Sequence, residues 1–319
     1  MTGEGSRSVR VGVVGVGAVG RHHVRLYSQL AGVDLVAVYD INASRAREIA
    51  SQYGVSAARS LEELASLVDA ASVAVPADRH LEVSLPLLKR GVHLLVEKPI
   101  ATDTAEAERM VAAAQQRNVI LQVGHVERFN PVLSYLEENA PNPKFIEAHR
   151  LAPYPPPRRD GRPRGTEVSV VLDLMIHDLE IILHLVRSEV VRLDAVGVPV
   201  LSDSEDIANV RIAFRNGCIA NVTASRISPE RMRKIRVFLE DTYISLDYEK
   251  QVGELFRKVR GQILREPVPL EKEEPLLREL RSFVRCVADR SRPVVPAEHA
   301  AEALRLACRI VAAIREHRP

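Results

Sequence analysis

The stretch VRVGVVGVGAVG, residues 9–20, joins an apolar run to three glycines, and it decides the fold. Residues 9–15 are mostly β-branched, as expected for a strand that is covered on both faces of a parallel sheet. Gly15, Gly17 and Gly20 match the pattern GxGxxG. In this pattern the first glycine permits a tight turn, the second lets backbone approach a pyrophosphate, and the third lets helix and strand pack closely. A strand, this glycine pattern and a helix in succession predict a dinucleotide-binding unit.

The residues next to the glycines bear on which cofactor binds. Ala18 and Val19 lie at the predicted start of a helix, whose free backbone N–H groups suit an anion. Asp40 ends the second predicted strand, where a carboxylate accepts hydrogen bonds from ribose hydroxyls and repels a 2′-phosphate. The sequence therefore favours NAD over NADP, although Arg45 and Arg47 leave NADP open as an alternative.

The first half of the chain alternates between strand-like and helix-like segments. Apolar runs end at Asp40, Pro76, Glu97 and Gly124, and helical segments separate them. This alternation indicates βαβ units with right-handed crossovers, and hence a doubly wound parallel sheet. We predict an α/β fold with an N-terminal Rossmann domain over residues 1–124.

The second half, residues 125–319, follows a different pattern. Between residues 190 and 248, apolar and polar residues alternate with period two, which predicts antiparallel strands of one sheet. Asn216-Gly217 is a strong hairpin signal between two of these strands. We interpret residues 250–272 as a charged extension, and the two amphipathic helices that follow as core packing.

Length, charge and cysteine content narrow the classes of function. A chain of 319 residues is longer than one core usually supports, so two domains are expected. The 44 basic and 42 acidic side chains give a formal charge of +2, which favours neither nucleic acid nor membrane as a partner. The three cysteines form no CxxC pattern, and the chain shows neither a signal peptide nor a membrane-length apolar run. We expect a cytoplasmic protein that acts on a small molecule and holds no metal.

Five motifs, in the same order, resemble those of the Gfo/Idh/MocA family of nicotinamide-dependent oxidoreductases. They are the glycine pattern, Pro76 with His80, Glu97-Lys98-Pro99 in GVHLLVEKPIA (residues 91–101), GHVERFNP (residues 124–131), and a D-x-x-x-H pair, Asp173 and His177, in VLDLMIHDLEIILHL (residues 171–185). The resemblance covers nearly the whole chain. It implies a Rossmann domain followed by an α/β domain with a large open sheet, and the oxidation of a sugar or cyclitol hydroxyl or the reverse reduction.

The resemblance also implies roles for particular residues. Lys98 hydrogen-bonds the reacting oxygen and stabilises the charge that develops there. His177 acts as general base, which suits a side chain with a pKa near neutrality, and Asp173 is its partner or a substrate ligand. The implied cofactor contacts are Gly15, Gly17, Ala18, Val19, Gly20, Asp40, Pro76, His80, Glu97 and Lys98. Two alternatives are a core histidine bonded to Asp173 and, more weakly, a metal site that adds His184.

The segment APYPPPRRDGRPRGTE, residues 152–167, is too rich in proline and glycine to form a helix or a central strand. Loops at this position lie over the active site in the family, so arginines here, Arg162 among them, could clamp phosphate oxygens. A solvated charged loop is the alternative. Our candidate substrate contacts are Arg128, Asn130, Arg158, Arg159 and Arg164.

Within the family, the phrases GHVERFNP, VLDLMIHDLEIIL and HHVRLYSQL resemble most the bacterial subgroup that oxidises the 3-hydroxyl of UDP-N-acetylglucosamine. A dehydrogenase of a free sugar or inositol is the first alternative, and an NAD-binding sensor or scaffold without turnover is the second. Met175 and Glu180 depart from the small residue and the aspartate that many members carry at these positions, which puts the substrate in doubt more than the chemistry.

The predicted C-terminal sheet also suggests how copies of the chain associate. Helices cover one face of such a sheet, and an apolar second face would need a partner. We therefore expect a homodimer or homotetramer that forms through the C-terminal sheet.

Overall fold

The structure is a computed structural model that describes residues 8–155 and 168–316. The chain divides into two compact units, of which the first comprises Met1–Val126 and Leu276–Ala301 and the second Glu127–Pro275 and Glu302–Pro319. The first division lies within two residues of the boundary predicted at residue 124. The segment from residue 276 to residue 301 was assigned to the second domain from sequence, but it packs with the first unit.

Within the described residues, the first unit holds a six-stranded parallel sheet. Its strands are β1 (Val9–Val14), β2 (Val33–Tyr39), β3 (Ser56–Ala57), β4 (Ala70–Val73), β5 (His93–Glu97) and β6 (Leu121–Gly124). The spatial order is β3-β2-β1-β4-β5-β6, so the direction of winding reverses next to β1. In such sheets the ligand lies beyond the carboxyl ends of the strands at this reversal. The prediction of a doubly wound parallel sheet is confirmed, with β3 as a strand that the sequence analysis did not predict.

Five helices connect these strands. They are α1 (Gly20–Tyr27), α2 (Ala43–Tyr53), α3 (Leu61–Leu67), α4 (His80–Lys89) and α5 (Thr104–Arg117). The side chains of Asn42, Ser60 and Asp103 accept hydrogen bonds from backbone N–H groups in the first turns of α2, α3 and α5. Such caps satisfy donors that a helix start leaves open. By contrast, α1 begins without a side-chain cap from the described residues.

The second unit is built on an eight-stranded sheet of described strands. They are β7 (Phe145–Leu151), β8 (Val190–Val198), β9 (Ile207–Phe214), β10 (Ile219–Ser225), β11 (Met232–Phe238), β12 (Thr242–Asp247), β13 (Val252–Val259) and β14 (Gln262–Pro267). In the order β14-β13-β12-β11-β7-β10-β9-β8, the pair β7 and β10 is parallel and the other described pairs are antiparallel. The prediction of a mostly antiparallel sheet is confirmed.

Two details of this sheet differ in how well the sequence predicted them. The hairpin at Asn216-Gly217 joins β9 to β10 as predicted, and Gly217 adopts the left-handed φ of 88° that glycine tolerates. Residues 250–272, interpreted as a charged extension, instead supply the paired strands β13 and β14. The sequence hides this hairpin because β14 is exposed at every position and therefore shows no apolar alternation.

Helices α6 (Pro131–Asn139) and α7 (Ile176–Val186) belong to the second unit, and α7 packs on β7 and β10. Two further helices, α8 (Pro275–Asp289) and α9 (Ala297–Glu316), follow the sheet. The apolar stripe of α8, which includes Leu280 and Phe283, joins the buried core that β1 and α1 form in the first unit. Within the described part of the chain, none of the helices has the length and apolar character needed to cross a membrane.

Candidate active site

The turn after β1 is shaped by three glycines, and we call residues 15–20 the glycine loop. Gly15 has a φ of 82°, and a Cβ there would lie 2.7 Å from the carbonyl oxygen of Ala74. A Cβ on Gly20 would lie 1.8 Å from the carbonyl oxygen of Gly15. Both positions therefore require glycine, and the second allows α1 to start directly on the turn.

The middle of the glycine loop is open instead. A Cβ on Gly17 would meet no described atom within 4 Å, and Gly17, Ala18 and Val19 are all exposed. Because α1 has no side-chain cap from the described residues, its first N–H groups remain suited to an anion. The loop thus fits the pyrophosphate of a dinucleotide.

Asp40 lies beside this loop, directly after β2. Its Oδ2 accepts a hydrogen bond from the backbone N–H of Val16 at 2.9 Å, and its Oδ1 accepts one from that of Asn42 at 2.9 Å. The carboxylate is therefore fixed at the edge of the glycine loop. Arg45 donates from Nε to the carbonyl of Val16 at 3.3 Å and pairs with Glu48 at 2.8 Å. Arg45, an alternative ligand for a 2′-phosphate, is thus engaged with protein groups.

His80, at the start of α4, is buried. Its Nδ1 lies 2.8 Å from the carbonyl oxygen of Pro99 and its Nε2 lies 3.1 Å from that of Val75. Burial lowers the pKa of His80, although these carbonyls oppose the change. The histidine connects the segments that follow β4 and β5. The described hydrogen bonds of His80, predicted to contact the cofactor, are with backbone carbonyls, so it supports the two segments that it connects. Pro76, the other predicted residue of this motif, begins the short turn that precedes His80.

Lys98 follows β5 directly and is half-buried, at the carboxyl edge of the sheet where cofactors of doubly wound folds bind. The Lys98–Pro99 peptide bond is cis. The backbone N–H of Lys98 donates to Oε2 of Glu97 at 3.3 Å. Glu97, Lys98 and Pro99 therefore form one compact group at the end of a buried strand.

In the second unit, Asp173 and His177 lie on either side of a change in helix geometry. Residues Val171–Met175 form a π-helical turn, and α7 begins at Ile176. The sequence predicted one continuous helix here, because periodicity does not distinguish a single wide turn. Such turns often occur at functional sites. Both side chains are half-buried, whereas Met175 between them is fully buried.

A buried ion pair fastens α7 to the sheet. Arg150 of β7 donates from Nε to Oδ2 of Asp178 at 2.7 Å and from the second terminal nitrogen to Oδ1 at 3.1 Å. It also reaches Oε1 of Glu127 at 3.0 Å. Asp178 directly follows His177, so this pair holds the backbone that carries the predicted base. The sequence analysis missed Arg150 and Asp178. Their signal in the sequence was a charged residue at a position that the apolar patterns of β7 and α7 predict to be buried.

A second buried group surrounds Arg128. Its guanidinium donates to Oε1 of Glu180 at 2.7 Å and to Oε1 of Glu137 at 3.4 Å, and it lies 3.1 Å from Nε2 of His184. Burial raises the pKa of Glu180, and the charge of Arg128 opposes that rise. His184 also pairs with Glu137 at 2.7 Å, so it belongs to this group. These contacts give Glu180 a structural partner.

Asn130 caps α6 and is buried. Its Oδ1 accepts from the N–H of Val132 at 3.2 Å, and its Nδ2 donates to Oε2 of Glu127 and the carbonyl of Tyr248, each at 3.1 Å. Arg128 and Asn130 were proposed as substrate contacts, but the described bonds engage them with protein groups. The other proposed substrate contacts, Arg158, Arg159 and Arg164, lie outside the described residues.

Comparison with known proteins now identifies the fold and its chemistry. Residues 9–125 match the sequence model of an oxidoreductase family with an NAD-binding Rossmann fold, GFO/IDH/MocA, and residues 142–245 match the C-terminal domain of the same family. The chain belongs to the Gfo/Idh/MocA family of oxidoreductases. It is therefore an NAD(P)-dependent dehydrogenase, and the alternative of a non-catalytic sensor loses its support.

Individual members of the Gfo/Idh/MocA family align over most of the chain. UDP-N-acetylglucosamine 3-dehydrogenase from Acidithiobacillus ferrooxidans is 37% identical over 88% of this chain and 89% of its own length. A solved structure of that enzyme superposes with a TM-score of 0.90 at 34% identity, covering 97% of this chain and 98% of the other. Myo-inositol 2-dehydrogenase from Thermotoga maritima is 27% identical over 93% of this chain and 94% of its own length.

The Arg150–Asp178 pair provides a test of what fastens α7. We expect Arg150→Met to lower the free energy of unfolding by about 3–5 kcal/mol, because it removes the guanidinium that holds both oxygens of the buried Asp178 carboxylate and one partner of the buried Glu127. The matched control is Arg236→Met, which removes the half-exposed pair with Glu147 between β11 and β7 and should cost at most about 1 kcal/mol. Urea denaturation measures both, and equal losses would contradict the assigned role.

Proposed function

We propose that this enzyme oxidises a hydroxyl of a UDP-amino sugar, with UDP-N-acetylglucosamine oxidised at its 3-hydroxyl as the leading substrate. The observation that carries this proposal is the 37% identity over 88% of the chain to an enzyme of that name. Lys98, Asp173 and His177, which match the motifs of the family in this sequence, support the same reaction. Substrate contacts from the segment between residues 155 and 168 remain part of the proposal.

The proposed roles follow from the chemistry of each side chain. A nicotinamide held by the first unit would accept the hydride from the carbinol carbon. His177 removes the hydroxyl proton, since an imidazole is a suitable base near neutral pH. Lys98 donates a hydrogen bond to the reacting oxygen and stabilises its developing charge. Asp173 orients His177 or binds the substrate.

A dehydrogenase of inositol or a free sugar is the second candidate. The observation in its favour is the 27% identity to a myo-inositol 2-dehydrogenase over 93% of the chain. It would use the same three side chains but would have no need for phosphate contacts. The two candidates therefore differ in whether the substrate must carry the UDP group.

A turnover assay separates these candidates. We expect NADH to form with UDP-N-acetylglucosamine, and not with N-acetylglucosamine or myo-inositol, when a ketone trap draws the reaction forward. We expect His177→Ala to lower kcat roughly 10²- to 10⁴-fold and Lys98→Met to lower it roughly 10²- to 10³-fold. The controls His22→Ala and Lys89→Met change exposed residues and should retain the wild-type rate. Turnover of myo-inositol alone would establish the second candidate instead.

We further propose NAD rather than NADP as the cofactor. The carboxylate of Asp40 is held at the glycine loop by the N–H of Val16, where it would accept bonds from the ribose and repel a 2′-phosphate.

Replacing Asp40 tests this preference. Because bonds to a charged group contribute about 1.5–3 kcal/mol, we expect Asp40→Ser to lower kcat/KM for NAD roughly 10- to 100-fold and to reduce the preference over NADP by at least as much. Asp34→Ser, an exposed change on β2, the strand that Asp40 follows, is the control. A preference that is unchanged in Asp40→Ser would count against this role.

We also propose that the enzyme forms a homodimer or homotetramer through its C-terminal sheet. On the face opposite the buried one, aromatic rings follow one cross-strand row through β7, β11, β12 and β13. Phe145 and Phe238 lie 5.5 Å apart between ring centroids, Phe238 and Tyr243 4.5 Å, and Tyr243 and Phe256 5.0 Å. All four are only partly buried, as expected of residues that a partner would cover.

The cysteines form no disulfide within the described residues, which fits a reducing cytoplasm.

The aromatic row can be tested by its effect on mass in solution. We expect Tyr243→Glu to convert an oligomer to a monomer in light scattering after size-exclusion chromatography, because a buried unpaired carboxylate is costly. Gln52→Glu, an exposed change on α2, should leave the mass unchanged. A wild-type monomer, or an oligomer that persists in a folded Tyr243→Glu variant, would contradict the proposal.

A further inference from the structure

His23 lies three residues after Gly20 in α1 and is fully buried. Both of its ring nitrogens have partners. Nδ1 lies 3.0 Å from Oγ of Ser72 on β4, and Nε2 lies 3.0 Å from Oε1 of Glu97 at the end of β5. This histidine therefore contacts two neighbouring strands and reaches the residue that precedes Lys98.

Glu97 determines the direction of one of these bonds. An ionised Glu97 can only accept, so Nε2 of His23 donates to Oε1. On the other side of the ring, Oγ of Ser72 lies 3.0 Å from Nδ1 and 2.9 Å from the hydroxyl of Tyr27. Tyr27, Ser72, His23 and Glu97 therefore form one continuous chain of hydrogen bonds.

The charges around this chain agree with that direction. Burial by itself raises the pKa of Glu97, but the hydrogen bond and charge of His23 and the charge of Lys98 lower it overall. Glu279 of α8 is also buried, and neither of its carboxyl oxygens has a hydrogen-bond partner within residues 8–155 and 168–316. Burial, together with the nearby charge of Glu97, raises its pKa well above the ordinary value. The surroundings therefore favour the neutral form of Glu279 and the ionised form of Glu97.

The other oxygen of Glu97 completes the connection, because Oε2 accepts the backbone N–H of Lys98 at 3.3 Å. We propose that His23 is a positioning residue for Lys98. By donating to Glu97, it fixes the carboxylate that holds the Lys98 amide, and it connects the helix after the glycine loop to that amide. The inference rests on the proposed role of Lys98 in sugar oxidation.

A positioning role has a kinetic signature. His23 faces the interior, away from the exposed side of the glycine loop, so its loss should affect the rate more than cofactor binding. Without the donor, the pKa of Glu97 rises, and Glu97 takes up a proton as the pH falls. The kcat of a variant without the donor should therefore fall toward acidic pH more steeply than that of the wild type.

The experiment compares variants of the full-length enzyme in kcat, in the Kd for NADH by fluorescence titration, and in the pH profile of kcat. We expect His23→Leu to lower kcat roughly 10- to 100-fold, the scale of a small misplacement of a catalytic group, while the Kd changes by less than about threefold. His23→Gln keeps an N–H donor and should recover most of the loss. His22→Leu, an exposed change at the adjacent position, is the matched control.

Ser72→Ala serves if His23→Leu does not fold. It removes the hydrogen-bond partner of Nδ1 without changing His23, and we expect a smaller loss of kcat with an unchanged Kd. A folded His23→Leu with wild-type kcat and pH profile would overturn the proposal. A loss of NADH affinity as large as the loss of kcat would overturn it as well, because His23 would then act on cofactor binding.

Amide hydrogen exchange of the peptide that contains Lys98, measured without substrate, separates this inference from the proposed function. We expect faster exchange in His23→Leu than in the wild type or His22→Leu, because the bond to Glu97 is no longer held. If the wild type oxidises no sugar, the proposed function fails, but the exchange still tests the connection. Equal exchange in all three proteins would contradict the proposed connection from His23 to the Lys98 amide, whatever the substrate is.

Discussion

A charge that is removed from water needs a partner, and this constraint places the residues of interest in both units. In the first unit, Glu97 ends a buried strand and takes its hydrogen bond from His23. In the second, Asp178 follows His177 and accepts hydrogen bonds from two of the three guanidinium nitrogens of Arg150. Lys98 and His177 are therefore each adjacent in sequence to a carboxylate whose position is fixed by a buried partner.

The same constraint explains residues that looked like functional candidates in the sequence. Arg128 and Asn130 occur in a motif of the family, and both are buried among protein partners that connect α6 with α7 or with Tyr248. These residues of the motif therefore support the helix that carries the predicted base. Glu180, which departs from the family pattern, is in the same group, and its longer side chain reaches Arg128.

The parts of the fold that the sequence predicted correctly depend on signals that are local in the chain. The strands around the glycine loop, the alternation of β9 and β10 and the turn at Asn216-Gly217 each depend on residues close together in the chain, and each was confirmed. The strand β3 is two residues long, and β14 has no buried position, so neither carries a periodic signal. The sequence analysis also did not predict the π-helical turn at Asp173, because a single wide turn changes the spacing of the apolar residues too little to alter their pattern.

The sequence by itself determined the fold class and the glycine loop with Asp40, because these follow from spacing within short segments, and its resemblance to the Gfo/Idh/MocA family indicated the candidate residues Lys98, Asp173 and His177. Only the tertiary structure decided which partner each buried charge has, and that α8 packs with the first unit. His23 and Glu97 are 74 positions apart, and Arg150 and Asp178 are 28 apart. No local pattern encodes such pairs, since they exist only once the strands and helices that carry them have packed together.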